Sequence, residues 1–176
     1  MRDVGGLDTS LKFAQDMEMW LRVAAVSDVG WIKGADQALH REHPASMSVT
    51  AGAGSLTDLR ERRAVFQVLF RRMGGHISYA AELRDTALRG LAREALGEAC
   101  QAYNRGAVRV TPVEELIVFA QQTWPKYEQL PEFRALQRRR RVGAAVSPFV
   151  PGFFAAAVKR RVASELGYAR WLASGV

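Results

Sequence analysis

Apolar residues in the first thirty positions recur at helical spacing. Met17, Trp20, Leu21 and Ala24 lie three and four apart, which predicts a helix over Asp16–Val26 with these four on its apolar face. The period then changes. Asp28-Val29-Gly30-Trp31-Ile32-Lys33 reads as a short strand, and Gln37–Arg41 as a second, with Ala38 and His40 facing one way and Leu39 the other. Pro44 disfavours regular structure at His43, so Glu42–Ser48 reads as a loop. Ala51-Gly52-Ala53-Gly54-Ser55 is a flexible joint and divides the chain into 1–50 and 51–176.

Beyond the joint the pattern is helical. Ser55 and Asp58 resemble a capping box, and Leu59, Phe66, Leu69, Phe70 and Met73 line one face until Gly74-Gly75 ends the run. Ser78 is placed to cap the next helix, whose stripe is Leu83, Ala87, Leu91, Ala95, Ala99 and Tyr103, ending at Asn104-Arg105-Gly106. Thr111-Pro112-Val113-Glu114 is a start signal, with Thr111 as N-cap and Pro112 at the first helical position, for a helix that ends near Trp124-Pro125. A short helix over Glu132–Arg141 and a last one over Phe153–Leu172 complete the pattern. The fold class predicted is mainly α with a small β portion.

Composition adds one asymmetry. The 176 residues carry a formal charge of +7, and residues 131–176, with 9 basic and 2 acidic side chains, have a balance of the same size. A uniformly basic nucleic-acid binder would spread its charge over the fold, and a stacking platform would interleave basic residues with aromatics; this chain does neither, so no nucleic-acid partner is expected. A terminal basic segment points instead to an anionic membrane surface, or else is a solvated tail. Arg138–Arg141 is followed by 17 uncharged residues, Val142–Val158, and then Lys159-Arg160-Arg161. Pro148, Pro151 and Gly152 interrupt a stretch already shorter than the roughly 20 residues of a span, so residues 138–172 are expected to rest on a membrane rather than cross it. No apolar run comes after Met1, so the compartment expected is the cytosol, with peripheral attachment at the inner face of the membrane. The single cysteine, Cys100, falls on an apolar helix face and reads as a small buried residue.

Catalytic motifs are sparse. No phosphate-cradling glycine loop, Asp-x-Asp pair or His-Glu-x-x-His is present, and His40, His43 and His76 have no metal-binding spacing on one helix. The first fifty residues are more specific. Gly5-Gly6-Leu7-Asp8, Gln15-Asp16-Met17-Glu18-Met19-Trp20-Leu21-Arg22 and His40-Arg41-Glu42-His43-Pro44-Ala45-Ser46-Met47-Ser48 occur in that order. Residues 4–50 thereby resemble the C-terminal half of the catalytic domain of family-2 glycosyltransferases, with matches at Gly6, Asp8, Asp16, Arg22, Arg41, His43 and Ser48. Gln15 stands where the family commonly has Glu.

The resemblance implies a C-terminal remnant of an α/β GT-A fold at 1–50, the acceptor side of the site, joined to a helical extension. It implies inverting, non-processive transfer from a nucleotide-sugar to an acceptor hydroxyl. Asp16 would be the catalytic base, and Arg41 or His43 would lie near the diphosphate or its divalent metal, magnesium or manganese, with His43 a candidate ligand. The family's nucleotide-binding strands and Asp-x-Asp motif have no counterpart here, so this chain alone is expected to be inactive. Each residue also has a structural reading. Asp16 suits a helix cap, Arg22 an i,i+4 pair with Glu18, His43 a turn, Trp20 the core and His76 a surface loop. The alternative for the whole chain is a non-catalytic helical module that binds a membrane surface or a partner protein.

Overall fold

The computed structural model describes residues 4–30 and 56–174, and of 154–157, 159, 160 and 172–174 it describes the backbone alone. Six α-helices lie among the described residues: α1 (Gln15–Ala24), α2 (Leu56–Met73), α3 (Ala80–Asn104), α4 (Val113–Thr123), α5 (Pro131–Val142) and α6 (Pro151–Ser174). Two 3₁₀ turns, Tyr127–Gln129 and Ser147–Phe149, join the last three.

α3 is the central post. Its C-terminal half carries Ala92, Ala95, Ala99 and Ala102 beside Leu91 and Leu96, all buried. Alanine at these positions lets neighbouring helices approach closely, and α4 and α5 both pack here, with α2 on a further side. Leu59, Leu116, Phe119 and Leu136 fill the space between. The N-terminal half of α3 runs on beyond this core, and Leu83 is exposed.

The turn out of α3 is set by Gly106. The Ala107 amide donates to the Ala102 carbonyl at 2.8 Å and the Gly106 amide to the Tyr103 carbonyl at 3.3 Å. This is a Schellman pair, and it places Gly106 at φ +66°, where a side chain would be strained. The chain then doubles back into α4. Thr111 makes no capping hydrogen bond: α4 begins one residue later than the start signal predicts, after Pro112. α3 likewise starts after Tyr79 rather than on a Ser78 cap. Exposed interhelical pairs sit around the core, including a two-point Arg62–Glu94 bridge and Arg93–Glu132.

α5 is tied down by its one buried arginine. Arg139 donates to Asn104 Oδ1 at 2.8 Å and to the Ala135 carbonyl at 3.0 Å, and its guanidinium lies 4.2 Å from the Phe153 ring centroid. Buried Ser147 donates to the Gly143 carbonyl at 2.8 Å, which folds the loop after α5 back onto α3. α6 leaves from there, touching the remainder mainly through the 147–149 turn, with Val158, Val162 and Leu166 exposed.

The fold class expected from sequence is corrected. The described residues are all helix and loop, with no strand, so neither the small β portion nor the α/β GT-A remnant holds. The physical reason lies in α1, which packs on a helix, α2, through Leu11, Met17, Leu21, Val65 and Val68 rather than on a sheet. Asp28–Gly30 has no partner strand among the described residues to complete a ladder. The remainder of the first predicted strand and all of the second, at 31–33 and 37–41, lie outside the described residues, as does the 51–55 joint. No helix among the described residues is long and apolar enough to cross a membrane.

The packing makes a stability prediction. Leu116 is fully buried between α3 and its neighbours, whereas Val118, on the same helix, is 47% exposed. Leu116→Ala is expected to cost about 2–5 kcal/mol and Val118→Ala less than about 0.5 kcal/mol in urea unfolding. Equal costs would contradict this core.

Candidate functional site

α1 has ten residues, fewer than the roughly 12–15 an isolated helix needs, and no side chain caps its N-terminus. Its stability comes from contacts outside itself. Beside Met17 and Leu21, its inward face carries two charged residues: Glu18 and Arg22 are 0% and 3% exposed. They form the i,i+4 pair that their spacing predicts. Arg22 Nε lies 2.9 Å from Glu18 Oε1 and Nη2 lies 2.7 Å from Oε2. The remaining donors of Arg22 reach the Val4 carbonyl and, at 2.8 Å, the Gly6 carbonyl. One guanidinium therefore fixes both α1 and the turn before it. Gly5 sits at φ +80°, a backbone conformation that favours glycine.

The same cluster continues to Asp8. Its Oδ1 accepts from the Ser10 amide at 2.9 Å and the Ser10 hydroxyl at 2.6 Å. Its Oδ2 faces Arg72 Nη2 at 2.9 Å, out of line for a hydrogen bond, and Arg72 Nη1 lies 3.9 Å from Glu18. The two Ser10 hydrogen bonds, reinforced by Arg72 and Arg22, hold the Asp8 carboxyl below its ordinary range. Glu61, from α2, accepts the amides of Lys12 and Phe13 at 3.0 and 3.2 Å and so supports the entry into α1.

The opposite face of α1 is open. Asp16 and Trp20 are one turn apart and about half a turn around the helix from Glu18 and Arg22. Asp16 is exposed, and Trp20 is 69% exposed. Both differ from their structural readings. Asp16 is not the cap, since the helix starts at Gln15 after Ala14, although its Oδ1 does accept the Met17 amide at 2.8 Å. Trp20 is not core, because the buried side of α1 runs from Met17 and Leu21 round to Glu18 and Arg22, which turns Trp20 outward. Arg41 and His43 lie outside the described residues. Cys100 is buried and His76 is exposed in a loop, as the sequence predicts.

Arg72 and Glu61 are the functional-site residues that sequence reading misses. They arrive from a helix 48 or more positions away and carry no local signal. Among the described residues no three of His, Cys, Asp and Glu are grouped to hold a metal. The divalent ion implied by the glycosyltransferase resemblance thus has no ligand set there. Comparison with protein-family models, with curated proteins and with solved structures gives no match.

The cluster has two measurable consequences. Removing one member of a buried, hydrogen-bonded pair costs about 3–5 kcal/mol, so Arg22→Met is expected to unfold α1 from α2, read as loss of amide-exchange protection over 15–24. Retained protection would show that the pair is dispensable. Asp8 gives a pH dependence. Its folded value is depressed, so its contribution is present above the unfolded carboxylate value near about 4 and is lost as pH falls through the lower folded value. Asp8→Asn should therefore be less stable than the parent at pH 7, with the gap closing towards pH 2. A gap that stays constant with pH contradicts the assignment.

Proposed function

We propose that residues 4–22 form the acceptor side of a sugar-transfer site, with Asp16 as the base. The observation that carries this reading is the pairing of an exposed carboxylate and an exposed indole, one turn apart, on a helix whose other face is locked by a buried ion pair. Deprotonating an acceptor hydroxyl needs a carboxylate free to approach it, held on a support that does not shift. Asp16 has that exposure, and the Arg22 network supplies the support. Trp20 offers an apolar ring on which the C–H face of a sugar can lie, which fixes the distance between hydroxyl and carboxylate.

The ordered likeness of residues 4–50 to family-2 glycosyltransferases supports the same chemistry. In the proposed step the acceptor oxygen attacks the anomeric carbon of a nucleotide-sugar as Asp16 takes its proton. The bond to the diphosphate breaks on the opposite side, and the configuration inverts. Arg41 or His43 would face the departing diphosphate. The reading rests on residues 4–22 and their geometry and requires no GT-A sheet within the described residues. The chain has no Asp-x-Asp pair to hold a donor, so donor binding falls to other residues of the active enzyme.

In the enzyme that contains these residues, Asp16→Asn is expected to lower turnover about 10²–10⁴-fold, the span usual for a general base, without weakening acceptor binding. Trp20→Ala is expected to raise the acceptor KM with a smaller change in turnover. Steady-state transfer assays with varied acceptor check both. Turnover within a few-fold of the parent in Asp16→Asn would remove Asp16 from the mechanism.

A further inference from the structure

A second surface lies far along the chain from α1 and uses different chemistry. Arg134, Arg138 and Arg141 fall at i, i+4 and i+7 on α5, on the side away from buried Leu136 and Arg139. With Phe133, Gln137 and Glu128 they line a shallow open groove of about 460 Å³. Their neighbours in sequence are accounted for: Arg139 is buried on Asn104, and Arg140 pairs with Glu114 at 3.2 Å. Arg138 and Arg141 form no ion pair among the described residues, and Arg134 donates to the Gln129 carbonyl at 3.4 Å. Glu128, within reach of the Tyr127 hydroxyl at 3.3 Å, is the one carboxylate among the described residues that line the groove.

Exposed apolar side chains come directly after. Val142 ends α5, and the loop beyond it presents Val146 at 54% and Phe149 at 83% exposure. This exposure is not slack in the loop, because Ser147 between them is 1% exposed and hydrogen-bonded to Gly143. The fold anchors the loop through Ser147 and leaves its apolar side chains outside. Around them, residues 133–164 contain 8 basic and no acidic side chains.

We propose that α5 and the loop after it dock on an anionic lipid bilayer, with Arg134, Arg138 and Arg141 on the headgroups and Phe149 and Val146 inserted at the acyl boundary. Charge decides among occupants. A second copy would set like-charged arginines against each other, with Glu128 alone on the groove to offset them. A nucleic acid would satisfy the arginines but leave Val142, Val146 and Phe149 against phosphates. An anionic membrane meets both, since each Arg near the surface contributes on the order of 1 kcal/mol and the aromatic side chain adds apolar burial. The proposal is independent of the sugar-transfer reading.

The test is flotation of the 176-residue chain with vesicles of phosphatidylcholine containing about 30% phosphatidylglycerol, against pure phosphatidylcholine, at low and high salt. Binding is expected only to the anionic vesicles and is expected to fall with salt. The double variant Arg138→Gln/Arg141→Gln should weaken partitioning about 30-fold. Phe149→Ser should weaken it several-fold while keeping the salt dependence. Arg84→Gln/Arg89→Gln removes the same charge from an exposed stretch of α3 and should change partitioning less than about two-fold. No binding to anionic vesicles, or equal losses in the two double variants, would overturn the proposal. So would self-association, measured by sedimentation without vesicles, that Phe149→Ser abolishes.

Discussion

A single buried guanidinium holds α1 and the turn before it in place. Arg22 uses its fork on Glu18 and its remaining donors on the carbonyls of Val4 and Gly6. Such a pair adds little net stability, because desolvating two charges offsets most of their attraction. Losing one partner, however, strands the other in a dry interior. The arrangement specifies more than it stabilises. It joins α1 to the turn at Gly5 and lies on the side of the helix opposite Asp16 and Trp20. Arg72 extends the network to Asp8, so two acids and two arginines balance within the cluster.

The helices from α2 to α5 depend on a different kind of contact. Alanines along α3 bring α4 and α5 close, and leucines from three helices close the remaining space. Arg139 repeats the device seen at Arg22: it is buried, it bonds a neighbouring helix end and a carbonyl, and it sits against Phe153 at the start of α6. The loop that follows α5 is anchored by Ser147, and its side chains Val146 and Phe149 are exposed. Two outward faces are thus each held from beneath by a buried arginine, one bearing a carboxylate and an indole and the other bearing positive charge.

Much of the helical framework is legible in the sequence because its signals are local. The Asn104-Arg105-Gly106 stop, the Gly74-Gly75 end, the Trp124-Pro125 end and the Glu18–Arg22 spacing each depend on residues within one or two turns. The illegible parts depend on partners distant in sequence. Nothing near Asp8 announces Arg72, and nothing near Lys12 announces Glu61. Trp20 lies outside the core because apolar periodicity assumes that the buried face is apolar, and in α1 it includes an ion pair. The expected β portion fails for a related reason. A strand is defined by the neighbour that completes its ladder, and the described residues offer α2 in the place where a sheet is expected.

The crystal structure of an Arg22→Lys variant tests the role of this guanidinium most directly. Lysine keeps the charge but has no planar fork to hold Glu18 and two carbonyls together. If Arg22 organises this end of the molecule, the 4–8 turn moves away and Asp16 and Trp20 lose their fixed position, while α3, α4 and α5 superpose on the parent. An unchanged turn and an unchanged α1 would contradict that role.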